Sequence, residues 1–348
     1  MQAVVITEQC PKPSQAVRFV SDWPEPPEPG PGQCRVRTLC SALNHLDLWV
    51  GRGVPGLKLT YPRISGCDAC GVVERVGAGV ASSWVGQRVI VNAAVAQPEA
   101  YAPLDPPEPM VPEVQLLGEH HQGFHAEVFN IPASNVQAIG DGHDPAEASA
   151  FGLTFLTAYS MMAGKGGLRP GQVVLVTGIG GGVATAALAI AKERACRVIV
   201  TSRHQVKLDA AKALGADEGV LDAGADWSRQ VRALTGGRGV DMAVDSSGKA
   251  THLWCIKSLA RGGVYATPGC TSGADATTDL ARIFWNQLRI LGSTMGSNQE
   301  FAQLAAMYRA GRFRPVVDRV VPAARAAEGF ARLESGEQFG KVVLDWRR

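Results

Sequence analysis

"VVLVTGIGGGVATAALAIAK", residues 173–192, decides the reading of this 348-residue chain. An aliphatic, β-branched run leads into Gly178, Gly180, Gly181 and Gly182, and these into an alanine-rich run with helical spacing. Glycines let a backbone approach a pyrophosphate closely, and a helix N-terminus offers it unpaired N–H groups and the positive end of a dipole. The fit to G-x-G-x-x-G is partial: Gly178 and Gly180 match, but position 183 is Val183. Gly178-x-x-Gly181-x-x-Ala184 fits better, with small residues where helix and strand must touch. A glycine-rich turn without a ligand is the bland reading; the flanking strand and helix favour a bound dinucleotide.

The next strand, "RVIVTSRHQVKL" (197–208), bears on which dinucleotide. An NAD site places Asp or Glu at that strand's end to accept from the ribose 2′-hydroxyl. Here the end carries Ser202 and Arg203, with Lys207 one turn on. A hydroxyl and cations suit a 2′-phosphate, to which a guanidinium presents planar donors. The expected cofactor is NADPH; the alternative is an Arg203 that merely points to solvent. Downstream, "VDMAVDSSG" (240–248), "GGVYATPG" (262–269) and "LRILGSTMG" (288–296) read as buried parallel strands ending in small residues. Ser247, Gly269 and Thr294 at those ends join the cofactor set.

The remainder has a different texture. Up to about residue 135, short strands alternate with Pro- and Gly-rich punctuation, including "WPEPPEPGPGQ" (23–33) and "PLDPPEPMVPE" (103–113). "DPAEASAFGLTFLTAYSMMAG" (144–164) then turns helical, with Asp144 ahead of Pro145 in an N-cap arrangement. Two domains are expected, 1–145 with 300–348 and 146–299. A net charge of +2 makes no case for nucleic acid or a membrane as partner. "MQAVVITEQC" lacks the basic start and apolar core of a secretory signal, and no apolar run reaches a membrane span. Eight scattered cysteines read as the free thiols of a protein in a reducing cytoplasm.

The ordered motifs resemble the medium-chain dehydrogenase/reductase family over nearly the whole chain. "ALNHLDLWVGRG" (42–53) is similar to its "GVCHTDL" segment, and "GCDACGVVERVGAGV" (66–80) to its "GHEGAGVVxxVGxGV". "GLTFLTAYSMM" (152–162) resembles its "CAGxTAY" helix. "ALGAD" (213–217), "GGRGVDMAVDSSG" (236–248), "GGVYATPG", "ILGSTMG" and the closing "FGKVVL" (339–344) follow in family order. The resemblance implies an α/β protein: a GroES-like, mostly-β catalytic domain plus a Rossmann domain with a doubly wound parallel sheet. It also puts Lys341, of "FGKVVL", among the cofactor residues and Thr157 beneath the nicotinamide.

The departures carry more weight. The catalytic zinc positions of the family fall on Asn44, Cys67, Asp68 and Leu153. Leu153 cannot ligate, and a neutral Asn44 amide cannot replace a thiolate. The hydroxyl that relays the alcohol proton is replaced by Leu46. The family's structural-zinc cysteines correspond to Gln97, Ala100, Pro103 and Val111, so no structural zinc is expected. A different metal site would need Cys67, Asp68 and His45, but the resemblance turns His45 toward the cofactor phosphate or the cleft wall. Cys67 and Cys70 are spaced as a C-x-x-C pair, yet no helix follows to activate a dithiol, and Cys70 suits the core. Asn44 could orient the nicotinamide carboxamide or bond a substrate carbonyl, and equally could cap the helix that follows. Asp47 suits a structural role, Trp49 and Tyr61 suit core packing or a pocket wall, and His120 and His121 read as exposed loop residues.

Without a Lewis acid and a relay, alcohol oxidation loses its means of stabilising the alkoxide. Hydride delivery to a quinone or an activated C=C bond needs less help. The expected activity is zinc-independent, NADPH-dependent reduction of quinones or enones and enoyl compounds, with Asn44, Cys67, Asp68, Leu153 and Thr157 at the reacting centre. Two alternatives stay open: an alcohol or aldehyde dehydrogenase holding a metal through Cys67 and Asp68, and an NADPH-binding protein without catalysis. "RILGSTM" (289–295) could extend a sheet across a homodimer or homotetramer, as in relatives.

Overall fold

Six strands with aliphatic centres form one parallel sheet: β1 (Val173–Val176), β2 (Arg197–Ser202), β3 (Glu218–Leu221), β4 (Val240–Val244), β5 (Leu259–Thr267) and β6 (Arg289–Gly292). Their order is β3-β2-β1-β4-β5-β6, every neighbouring pair parallel. That is the doubly wound Rossmann arrangement, whose ligand edge lies at the strand C-termini beside β1 and β4. Helices Gly182–Glu193 and Gln205–Ala213 follow β1 and β2. Leu175, Ile199, Val240, Ile256 and Tyr265 are among the residues that make this unit's core.

The computed structural model describes residues 1–95, 110 and 114–347. Gln97, Ala100, Pro103 and Val111 lie outside the described residues. The chain divides into Met1–Leu153 with Ser297–Gly311 and Pro315–Arg348, and Thr154–Gly296 with Arg312–Arg314. The first unit is built on a mainly antiparallel seven-stranded sheet, GroES-like as the sequence implied. Its long strand Gln33–Ala42 pairs antiparallel with Ala69–Val76, Val128–Pro132 and Lys341–Asp345. Val4, Ile6, Leu48, Phe330 and Leu344 belong to a core on which the helix Ala326–Ser335 packs.

The helical stretch expected over 144–164 is divided. Asp144 caps Pro145–Ser149 through the N–H groups of Ala146 and Glu147, at 2.9 and 3.0 Å. A second helix runs Gly152–Tyr159 and continues as a π-helical turn, Ser160–Lys165. The unit boundary falls at the head of this second helix rather than at 145/146. Leu153 stays with the β-rich unit, to whose Asp68 carboxylate its N–H donates at 2.5 Å. Among the described residues no helix is long and apolar enough to cross a membrane.

Candidate functional site

Strand register brings together three residues that are remote in sequence. Val343 pairs with Ala42, and continuing that antiparallel ladder sets Lys341 opposite Asn44. Ser41 pairs with Ala69 on the other side, and Ala42 N–H donates to the Asp68 carbonyl at 3.1 Å. The side chains then converge. Lys341 Nζ donates to Asp68 Oδ2 at 2.8 Å and also to Asn44 Oδ1. Asn44 Nδ2 donates to the same Asp68 Oδ2 at 2.9 Å and to the Ala42 carbonyl at 3.3 Å. All three are buried, Asp68 completely and Lys341 to 4% exposure. Asp68 Oδ1 takes the Leu153 N–H, which requires Gly152: a Cβ there would lie 2.7 Å from Oδ1 and 2.6 Å from the Val91 carbonyl.

Lys341, which the resemblance put among the cofactor residues, bonds Asn44 and Asp68, two of the family's metal positions. Asn44 does occupy the N-cap of helix His45–Arg52, but Asp47 closes that turn by accepting the Asn44 backbone N–H at 2.7 Å. The Asn44 side chain also faces Asp68 and Lys341.

Cys67 is buried and donates to the Leu117 carbonyl at 2.9 Å. Burial, then the nearby Asp47 and Asp68 carboxylates, push its thiol well above the ordinary value. Cys70 faces Cys40 across the strand pair, and burial raises both thiols, that of Cys40 to about 12. Beneath them Asp47 Oδ1 lies 3.4 Å from His125 Nε2, and His125 Nδ1 meets Ser41 Oγ at 2.9 Å. Burial pushes the Asp47 carboxyl up, but His125 and the Asn44 N–H outweigh it and hold the group below its usual range. This network is sealed in the unit and serves as structure. His45, His120 and His121 are exposed, and among the described residues no three His, Cys, Asp or Glu side chains converge as metal ligands.

The residues at 44, 67, 68 and 153 do not fit zinc. The anionic oxygen a metal would need is paired with an ammonium, the amide oxygen accepts from that same ammonium, and the Leu153 side chain offers no donor atom.

The nucleotide unit fits a dinucleotide. Gly178 and Gly180 have φ of +59° and +117°, a region in which side chains are strained, and they wrap the turn from β1 into helix Gly182–Glu193. Gly181 at the N-cap brings no side chain to the first-turn N–H groups, which remain for a phosphate, while Val183 and Ala184 begin the helix. The Ile179 N–H bonds the Thr201 carbonyl at 2.9 Å, tying the turn to the end of β2. There Ser202 is buried, its Oγ accepting the His204 N–H at 3.1 Å; Arg203 is exposed without a partner among the described residues; Lys207 is half-buried. Ser247 and Gly269 lie beyond the C-terminal ends of β4 and β5, and Thr294 beyond β6, on the same edge. Thr157 is buried in this unit, its hydroxyl donating to Met295 Sδ at 3.9 Å.

Sequence reasoning missed Asp245, which organises that edge. Fully buried, it accepts from the Thr177 hydroxyl at 2.5 Å, the Thr251 hydroxyl at 2.8 Å, the Tyr265 hydroxyl at 2.9 Å and the Ser247 N–H at 3.0 Å. An acid closing an otherwise aliphatic strand, "VDMAVD", was the available signal.

Comparison with known proteins agrees with this architecture. Residues 30–141 match the alcohol dehydrogenase GroES-like domain and residues 182–310 the zinc-binding dehydrogenase family. A solved NAD-dependent alcohol dehydrogenase is 41% identical, with each chain covered over 100% of its length and a TM-score of 0.93. A solved putative alcohol dehydrogenase from Sinorhizobium meliloti 1021 is 32% identical over 99% of this chain and 98% of its own, with a TM-score of 0.87. The zinc-type alcohol dehydrogenase-like protein YogA of Leptosphaeria maculans is 27% identical over 92% of each chain.

Proposed function

Because the chain belongs to the medium-chain dehydrogenase/reductase superfamily of alcohol dehydrogenase-like oxidoreductases, we propose that it is a zinc-independent reductase using NADPH on quinones or activated C=C bonds. The observation that carries this is the Lys341 ammonium held between Asn44 and Asp68. An ammonium bonded to two of the former metal positions supports chemistry that needs no alkoxide-stabilising metal and suits a substrate that spreads charge over its own conjugated system. NADPH supplies the hydride when bound. The glycine turn and the uncapped helix Gly182–Glu193 hold its pyrophosphate, and Ser202, Arg203 and Lys207 take the 2′-phosphate. The 41%-identical structure is NAD-dependent by name; what favours NADPH in this chain is the end of β2, which presents Ser202 and Arg203 and no carboxylate.

The protein acts in the cytoplasm as a homodimer or homotetramer on this reading. Supporting the oligomer, β6 is an edge strand, and helix Leu280–Asn286 beside it buries no residue, leaving Phe284 and Trp285 69% and 70% exposed.

The test joins metal analysis of protein purified without chelator to NADPH oxidation across quinones and α,β-unsaturated carbonyls. Turnover without metal is expected. Stoichiometric zinc that is lost in Cys67→Ser would overturn the reading in favour of a metal-dependent alcohol or aldehyde dehydrogenase. NADPH binding with silence across the panel would leave a binding protein.

A further inference from the structure

We infer that Asp245 is a positioning residue for the cofactor, and that the group it aims is the Ser247 hydroxyl, a donor to the pyrophosphate. The inference rests on the proposed use of NADPH and adds the device that shapes the phosphate site, all of it within the nucleotide unit. Asp245 directly follows β4, at the strand edge where a doubly wound sheet receives its ligand. It is fully buried. Its carboxylate accepts from the hydroxyls of Thr177, Thr251 and Tyr265 and from the backbone N–H groups of Ser247 and Gly248. A buried anion supplied with that many donors has little freedom to move, and it transmits its placement to every group that donates to it.

Two sets of bonds matter most. Toward its own chain, Oδ1 takes the Ser247 N–H at 3.0 Å and Oδ2 the Gly248 N–H at 3.3 Å, so the turn after β4 closes around the carboxylate. Toward β1, Oδ1 takes the hydroxyl of Thr177, the residue before Gly178, at 2.5 Å. One anion therefore ties the turn after β4 to the glycine turn after β1. Their contact is close: a Cβ on Gly178 would lie 3.2 Å from Ser247 Oγ. Ser247 is half-buried, and its hydroxyl makes no hydrogen bond among the described residues. Its carbonyl is held from the other side by the Ser272 N–H at 2.8 Å and the Ser272 hydroxyl at 2.5 Å. Gly248 has φ of +84°, and a Cβ there would lie 2.8 Å from Cys270 Cα, so the turn has no room to swing outward. An unspent hydroxyl fixed beside a phosphate-binding turn is a pre-oriented donor for that phosphate.

The test is calorimetric titration of the full chain, without substrate, using two ligands. NADPH is one; the other is adenosine 2′-phosphate, which keeps the 2′-phosphate and lacks the pyrophosphate. Ser247→Ala is expected to weaken NADPH by roughly tenfold, as loss of one bond to a charged group would, with little change in melting temperature. Asp245→Asn keeps the side-chain size but turns an accepting oxygen into an amide donor that faces donors. It should melt lower, weaken NADPH by a similar factor, and leave adenosine 2′-phosphate within about twofold. Because both variants act on one contact, the double variant should bind NADPH no more weakly than about the weaker single one. Val231→Ala, in the core of the same unit, is the control for stability alone: it should melt lower with NADPH affinity within about twofold. Equal loss of both ligands in Asp245→Asn, additive losses in the double variant, or weakened NADPH in Val231→Ala would overturn the positioning role. Undiminished NADPH affinity in Ser247→Ala would overturn the donor. If Asp245→Asn does not fold, Thr177→Val cuts the same tie at equal volume and must show the same split between ligands. A wild-type chain that binds no NADPH defeats the proposed function itself, whereas wild-type binding without the split defeats only this inference.

Discussion

Gly152→Ala isolates how much of the site depends on one missing methyl group. Gly152 opens the helix Gly152–Tyr159 with φ outside the left-handed region, so alanine meets no conformational penalty there. By propensity and chain entropy alone, the substitution should stabilise by about 0.5–1 kcal/mol. Space decides against it. The new Cβ would stand 2.6 Å from the Val91 carbonyl and 2.7 Å from Asp68 Oδ1, inside the 3.0 Å that Cβ atoms do not cross. Val91 is fixed in a strand paired with Val136, and Asp68 cannot retreat without loosening its bonds to Leu153, Lys341 and Asn44. Overpacking of this kind costs about 1–3 kcal/mol. A weakened bond to a buried carboxylate adds about 1.5–3 kcal/mol. The net expectation is a loss of about 2–5 kcal/mol. Urea unfolding, analysed transition by transition because a two-unit chain need not unfold in one step, measures it. Gly142→Ala is the control, since a Cβ there meets nothing within 4 Å and it should change stability by less than about 0.5 kcal/mol. If the two variants lie within about 1 kcal/mol of each other, the carboxylate is not held as described.

Arg203→Asp should weaken NADPH binding by about ten- to a hundredfold and spare NADH, as loss of a charge-assisted phosphate contact would; equal NADPH affinity in titration removes Arg203 from the site. In a thiol titration of the native protein near pH 8, the half-buried Cys10 and Cys270 should react promptly and the six buried cysteines only on unfolding; rapid modification of Cys67 would contradict its burial. Because the Cys40 thiol is raised to about 12, its contribution to stability is complete below the ordinary thiol value and is lost as pH climbs toward 12. The alkaline fall in unfolding free energy should thus be shallower in Cys40→Ala, by up to about 1.4 kcal/mol per pH unit, and an unchanged slope would count against the raised thiol.

The Rossmann unit was legible because its signals are local. Aliphatic runs alternate with helices, and the glycine turn announces its own backbone angles, so strand order follows from a known winding rule. The helical stretch expected over 144–164 is present, and its division into two helices was illegible for the opposite reason. Propensity there is helical throughout, but Asp68, a residue from another strand, captures the Leu153 N–H, and close packing at Gly152 resets the start of the second helix. Tertiary bonds overrode a correct local preference.

The site shows the same limit more sharply. Comparison of motifs placed Asn44, Cys67, Asp68 and Leu153 around one point, and the structure brings Asn44, Asp68 and the Leu153 backbone together there. What the comparison could not supply was the fifth group, because Lys341 lies 273 residues from Asp68 and 297 from Asn44 along the chain. Its partners are fixed by the register of the strand Lys341–Asp345 against Gln33–Ala42, and one residue of slip would turn it to the opposite face. A lysine at the head of "KVVL" was a signal all the same: a charge entering a fully buried strand must find an opposite charge inside. Asp68 is that charge, and Asn44 completes the pairing by accepting from the ammonium and donating to the carboxylate.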